Sequence, residues 1–207
     1  ENEACALAGP KAIILGSGPI RIGQGIEFDY LTVHAAQALK KFGIKSIIIN
    51  NNPETVSTDF SVSDRLYFEP LTWEFVKRVI DNEKDGLLGV FVQFGGQTAI
   101  NLANKICDYG IPILGTSAFH IELAEDRQKT AELVEQLGLK MPTWKTANNK
   151  AELMECITQV GFPLLIRPSF VIAGEGMILA RNSAELLAYL SELPEKFSKP
   201  FLIDSFH

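Results

Sequence analysis

The segment GSGPIRIGQGIEFDY, Gly16 to Tyr30, concentrates the residue types that hold an anion. An apolar run, Lys11-Ala12-Ile13-Ile14-Leu15, precedes it and reads as a buried strand. The pattern Ile26, Tyr30, Val33, Ala36 and Leu39 follows it and reads as the inner face of a helix. A strand that feeds a glycine-rich turn and then a helix N-terminus leaves backbone N–H groups pointing into the turn, where an anion can accept from them. The best-known owner of such a turn is a dinucleotide fold, and two of its features are missing. Arg21 stands where the third glycine of G-x-G-x-x-G would fall. The second strand, Lys45–Ile49, ends in Asn50-Asn51-Asn52-Pro53, with no acidic residue to take a ribose hydroxyl. NAD is therefore disfavoured.

A second set of candidates lies further on. Arg167 ends the apolar run Leu164-Leu165-Ile166, and within ten residues comes the glycine loop Ala173-Gly174-Glu175-Gly176. A guanidinium at a strand end, beside a loop of free amides, can neutralise a polyphosphate and hold it in register. Arg127 opens a helix, where a cation is locally unfavourable unless an anion is nearby. The plainer alternative is that both arginines make surface ion pairs, for instance with Asp126 or Glu125. Other chemistries lack their residues. There is no G-x-x-x-x-G-K-[ST], no G-x-S-x-G and no Cys/His pairing suited to nucleophilic catalysis. Cys5, Cys107 and Cys156 form no C-x-x-C, which suits reduced thiols of a cytosolic type better than disulfides or zinc. His34, His120 and His207 have no metal-ligand spacing, and His34 reads as an ordinary helix-surface or packing residue.

The elements that must position these residues follow from periodicity. Strands are predicted at 11–16, 45–50, 87–93 and 112–115, with a short one at 65–68, and helices at 24–42, 72–83, 97–109 and 117–123. Continuous apolar strands alternating with helices argue for a parallel sheet covered on both faces. Ligands then sit outside the carboxyl ends of the strands, where Gly16–Gly25, Asn50–Thr58 and Gly95–Thr98 all fall. From Asp126 the rhythm changes to helices at 126–137, 149–160 and 182–192, with strands at 164–167, 177–180 and 201–204 in hairpin order. A boundary near 120–126 divides the chain into domains 1–122 and 123–207, the second reading as cut short after its last strand. At 207 residues, 46% hydrophobic and a net charge of −6, the chain can bury a core and has no basic face for nucleic acid. No apolar run approaches the roughly 20 residues that span a bilayer, and the start Glu1-Asn2-Glu3 lacks the basic residues of a signal peptide.

Taken together, GSGPIRIGQGIEFDY, NNPETVSTDF, SDRLYFEP, FGGQT, LGTS, AEDR and RPSF occur here in an order that resembles the large chain of carbamoyl phosphate synthetases, from about Lys11 to Asp204. The resemblance implies a Rossmann-like parallel sheet, the pre-ATP-grasp domain, followed by a partial α+β ATP-grasp subdomain. RIGQGIEFDY and NPETVSTD are similar to the second, carbamate-phosphorylating half of that family. On this resemblance the full-length protein is an ATP-dependent carbon–nitrogen ligase using magnesium or manganese, with potassium as a further ion. Its substrates are bicarbonate and carbamate, and its partners a small glutaminase subunit or domain that supplies ammonia and the other half of the large chain. No nucleic acid or membrane partner is implied, and the location is cytoplasmic, serving arginine or pyrimidine biosynthesis. A non-catalytic docking domain of the same enzyme is the alternative.

Carried over by position, the resemblance implies nucleotide contacts from Arg127, Arg167, Gly174 and Gly176, and an adenine hinge starting at Asp204, Ser205 and His207. Arg21, Gly25, Glu27 and Glu54 match positions lining an internal carbamate passage, in which Gly25 would leave the bore open. The family's metal-holding glutamate and asparagine have no counterpart in these 207 residues, so no catalytic or metal ligand is assigned and the isolated chain is expected to be inactive. Glu175 departs from the family pattern, because a carboxylate facing triphosphate would repel it.

Overall fold

The computed structural model describes residues 5–19, 25–168 and 176–206. The chain folds as two compact units, Glu1–Ile121 and Glu122–His207.

The first unit is built on a parallel sheet of β1 (Lys11–Leu15), β2 (Lys45–Ile49), β3 (Arg65–Tyr67) and β4 (Leu87–Phe91), in the order β3-β2-β1-β4. The β-branched runs Ile13-Ile14 and Ile47-Ile48-Ile49 suit strands buried on both faces, and all five side chains are fully buried. Ile13, Leu15, Ile47, Ile49 and Val90 face Val76, Val79 and Ile80 of α2 (Trp73–Glu83), Ala99 of α3 (Gly96–Ile100), Ala103 and Ile106 of α4 (Ala103–Asp108), and Ile121 of α5 (Ala118–Glu125). Ala12, Ile14 and Ile48 face Ala36 and Leu39 of α1 (Glu27–Lys41). Each fully buried isoleucine contributes about 1.5–3 kcal/mol of transfer free energy. Beneath the amino ends of the strands lies a buried ion pair between Lys11 and Glu83, whose side chains are both fully shielded from solvent.

Three sequence expectations change. Residues 97–109 do not form one helix but α3 and α4, broken at Asn101-Leu102. Residues 112–115 add no full strand. Among the described residues they give a single parallel bridge, Ile113 to Val90, which fits because Gly89 has no Cβ to meet the Pro112 carbonyl at 2.5 Å. The inward face of α1 is also rotated at its start. Asp29, Thr32, Ala36 and Leu39 are buried, whereas Ile26 and Tyr30 are 76% and 61% exposed. Asp29 takes the inward position because its carboxylate accepts the Val56 and Ser57 N–H groups at 2.8 and 3.0 Å. His34 is exposed and packs its ring on Tyr30, an ordinary surface contact.

The second unit is an antiparallel sheet of β5 (Trp144–Asn149), β6 (Leu164–Pro168), β7 (Ile178–Ala180) and β8 (Lys196–Ser205), in the order β5-β8-β6-β7. Its helices are α6 (Arg127–Gln136), α7 (Lys150–Val160) and α8 (Ser183–Glu192). Asn149 and Asn182 cap α7 and α8 by accepting from the Glu152 N–H and from the Ala184 and Glu185 N–H groups, which fixes where these helices begin. Leu153 and Cys156 of α7 and Leu186 and Leu190 of α8 cover the face bearing Leu164, Ile166, Phe201 and Ile203. Strand period then sends Leu165, Arg167, Leu202 and Asp204 to the opposite face.

Candidate functional site

In the first unit the carboxyl ends of β1, β2 and β4 bring three loops together, at the point where the strand order reverses between β1 and β4. Asn50, almost fully buried, joins two of them. Its Oδ1 accepts the Gly18 N–H at 3.0 Å, while its Nδ2 donates to Thr55 Oγ1 at 3.2 Å and to Ser57 Oγ at 3.1 Å. The third loop arrives at Gly95. A Cβ there would lie 2.3 Å from the Gly16 carbonyl oxygen and 2.8 Å from that of Leu15. Gly16 has the same reason to be glycine, since its Cβ would lie 2.6 Å from Asn50 Cγ. The edge is thus a set of backbone turns packed to contact distance and cross-tied by one buried amide.

The proposed passage residues fall partly on this edge. Arg21 lies outside the described residues. Gly25 and Glu27 are neighbours in space as well as in sequence, because a Cβ on Gly25 would meet Glu27 Oε2 at 2.1 Å. The space beside Gly25 is therefore filled by the end of a movable carboxylate. Glu54 is exposed, and its N–H donates to Asn52 Oδ1 at 3.1 Å in the loop that Asp29 ties to α1.

In the second unit the β6–β8 register places Leu165 opposite Asp204 and Arg167 opposite Leu202. Arg167 and Asp204 are thus diagonal neighbours on the face away from α7 and α8, within reach of a long side chain. They form an ion pair, with Asp204 buried and Arg167 about one-third exposed. Arg127, the first residue of α6, lies close enough to this pair to feel both of its charges. The helix start that aims it is held by Asp126, whose Oδ1 accepts the Gln128 and Lys129 N–H groups at 2.9 and 3.0 Å. Of the plainer reading, an ion pair does form for Arg167, but with Asp204; among the described residues neither arginine pairs with Asp126, which caps α6, or with Glu125.

Electrostatics here are tense. Burial pulls Arg127 below the ordinary arginine value, the Arg167 charge lowers it further, and Asp204 partly offsets both. Burial pushes the Asp204 carboxyl above its ordinary value, against the opposing pull of Arg167 and then Arg127. Among the described residues Arg127 Nη1, Arg167 Nε and both Asp204 carboxylate oxygens are buried without a well-formed hydrogen bond, Asp204 Oδ2 being held by Arg167 through its charge. Two cations near one carboxylate, each with an unused donor, leave capacity for a further anion.

The remaining candidates divide. Gly174 and His207 lie outside the described residues, as does most of the 173–176 loop. Gly176 has φ +69° and its carbonyl accepts from the Tyr189 hydroxyl at 3.1 Å. Ser205 and Phe206 already donate their N–H groups to the Thr143 and Pro163 carbonyls, each at 2.9 Å. Adenine recognition at these two positions cannot use those donors. Sequence reasoning missed Asn50, Asp29 and Gly95 as the ties of the first edge. The signal was present as polar residues bordering an isoleucine run, read only as the absence of an acidic residue. Among the described residues no group of three or more His, Cys, Asp or Glu side chains is placed to hold a metal ion, and no helix is long and apolar enough to cross a membrane.

A parallel unit followed by an antiparallel sheet is a fold of the ATP-grasp and biotin carboxylase type. Solved structures of this fold include N5-carboxyaminoimidazole ribonucleotide synthetase from Thermus thermophilus, with TM-score 0.67 and 20% identity over 95% of this chain and 47% of that one. Another is the biotin carboxylase domain of Hydrogenobacter thermophilus 2-oxoglutarate carboxylase, determined with MgADP and bicarbonate, with TM-score 0.66 and 21% identity over 97% of this chain and 45% of that one. Within that class the chain belongs to the carbamoyl phosphate synthase large-chain family. Residues 8–123 match the carbamoyl phosphate synthase preATP-grasp domain, and residues 126–202 match the ATP binding domain of the synthase L chain. It is 54% identical over 197 residues to the carbamoyl phosphate synthase large chain of Clostridium botulinum strain Langeland, and 54% identical over 206 residues to that of Clostridium perfringens strain 13. It covers 95% and 99% of itself in these matches but only 18% and 19% of the relatives' lengths.

Proposed function

We propose that this chain is the start of the carbamate-phosphorylating half of a carbamoyl phosphate synthase large chain, with domains 1–122 and 123–207, and that it acts only within the longer polypeptide. The observation that carries this reading is that Arg127 and Arg167 are close enough to feel each other's charge and each keeps a buried, unused N–H donor. Phosphoryl transfer needs charge on the transferring group neutralised and positioned, and two guanidinium groups supply both. ATP with magnesium is the nucleotide form that fits, with the arginines holding phosphate oxygens; the metal would polarise the transferred group. Small-subunit ammonia supply, carbamate as the substrate and a cytoplasmic location for the unpaired Cys5, Cys107 and Cys156 complete the proposal.

The test is Arg167→Ala in a large chain carrying this sequence. Losing a charge-assisted contact to phosphate costs about 1.5–3 kcal/mol, so ATP kinetics in carbamate phosphorylation should worsen roughly ten- to a hundredfold. Unchanged ATP kinetics would assign Arg167 to its ion pair with Asp204 alone. A docking role is the second reading. It is favoured by exposed Ile26 and Tyr30 on α1 and by Val56 and Phe60 in the loop tied to it, Phe60 being 97% exposed.

A further inference from the structure

The side chain of Asp204 is held by an arginine. Its carboxylate lies on the sheet face of Arg167, is almost fully buried, and makes its ion pair with that guanidinium. Arg127 feels the charge of the same carboxylate. Without Asp204, two guanidinium charges would repel each other in a partly dry site with no opposite charge to offset them, which is strongly unfavourable. With Asp204 the cluster carries one surplus positive charge and two buried donors, Arg127 Nη1 and Arg167 Nε, that have no hydrogen-bond partner among the described residues.

We propose that Asp204 is a built-in counter-ion that stands in for phosphate while the site is empty, and that an incoming polyphosphate must displace it from the arginines. The inference rests on the reading of Arg127 and Arg167 as phosphate contacts. A polyphosphate brings several negative charges to the same donors, so the carboxylate becomes a like-charge neighbour as it binds. The carboxylate holds the two arginines assembled in advance, and in doing so it lowers their affinity for phosphate. The β6–β8 pairing supplies the geometry, since a residue two positions along β8 from Leu202 is the nearest acid that Arg167 can reach without leaving its strand.

The probe is inorganic tripolyphosphate, which has no base to recognise, with adenosine as its phosphate-free counterpart. Both are titrated calorimetrically into the 207-residue chain, in parallel with a melting curve for each variant. Asp204→Asn should bind tripolyphosphate about tenfold more tightly, the ~1.4 kcal/mol that one nearby carboxylate charge is worth in a partly hydrated site. Asp204→Glu, which keeps the charge, should bind it as the parent chain does, and adenosine binding should not respond to either change. Tripolyphosphate affinity that is unchanged or weaker in a folded Asp204→Asn chain would overturn the proposal, as would a loss confined to adenosine. A measurement on the unaltered chain covers failure of that variant to fold. Tripolyphosphate should shift the carboxyl carbon resonance of Asp204 together with the Nε–H resonances of Arg127 and Arg167. Arginine shifts with a motionless Asp204 overturn the counter-ion alone. Motionless arginines overturn the phosphate reading itself, and the counter-ion with it.

Discussion

Glu83→Ala should be the most damaging single substitution in the first unit. The Glu83 carboxylate is fully buried and accepts from Lys11 Nζ and the Leu7 N–H, each at 2.9 Å, and from Arg65 Nη1 at 2.9 Å and Tyr67 Oη at 2.7 Å. Removing it strands the Lys11 ammonium, whose side chain has no solvent exposure, whereas Arg65 remains about one-quarter exposed and can turn to water. Breaking a buried pair from one side costs about 3–5 kcal/mol, a large share of the roughly 5–15 kcal/mol that holds a domain folded. With a urea slope of about 2 kcal/mol/M, the midpoint should fall by about 2 M. The assay is urea unfolding followed by Trp73 fluorescence in a Trp144→Phe background, so that only the first unit reports. Lys11→Met combined with Glu83→Leu should recover part of the loss, because no unpaired charge is then buried. Burial raises the Glu83 carboxyl, but its hydrogen bonds from Lys11, Tyr67 and Leu7 and the Lys11 charge together hold it below the ordinary glutamate value. Its stabilisation is therefore complete above the unfolded value and is lost as pH falls through the lowered folded one. Glu83→Gln should flatten that acid limb. A loss under about 1 kcal/mol for Glu83→Ala, well below the buried-pair range, or a double variant no better than the single one, would refute this reasoning.

Two further outcomes are expected. Gly95→Ala would press a methyl against the Gly16 and Leu15 carbonyl oxygens, backbone atoms that cannot step aside, and should cost about 1–3 kcal/mol by the same unfolding assay; a neutral result would mean that the edge turns are loosely packed. Gly25→Phe, in a large chain carrying this sequence, should suppress overall synthesis from bicarbonate while sparing ATP formation from ADP and carbamoyl phosphate. Parallel loss of both activities with a lower melting temperature would return Gly25 to a packing role against Glu27.

The alternation of apolar runs with helical periods, the glycine turns and the change of rhythm near Asp126 were legible in the sequence, because they are set by neighbours a few residues apart. Strand 65–68, the extents of α7 and α8 and the hairpin of β6 with β7 were readable for the same reason. Helix 97–109 and strand 112–115 were misread because their ends depend on packing against β4, not on local propensity. The face of α1 was misjudged because hydrophobic periodicity favours Tyr30, whereas Asp29 has two backbone donors waiting in a loop 27 and 28 residues away. Arg127, Arg167 and Asp204 were each visible as candidates, but not that one carboxylate serves two guanidinium groups. For Arg167 that follows from a strand register, and strand register is decided by tertiary pairing. Lys11 and Glu83 show the limit most clearly. In the sequence they are an ordinary strand-start lysine and a helix-end glutamate, 72 residues apart. Only the closing of the sheet over them turns two surface-type residues into a buried pair, because the loss of water is what gives their charges strength.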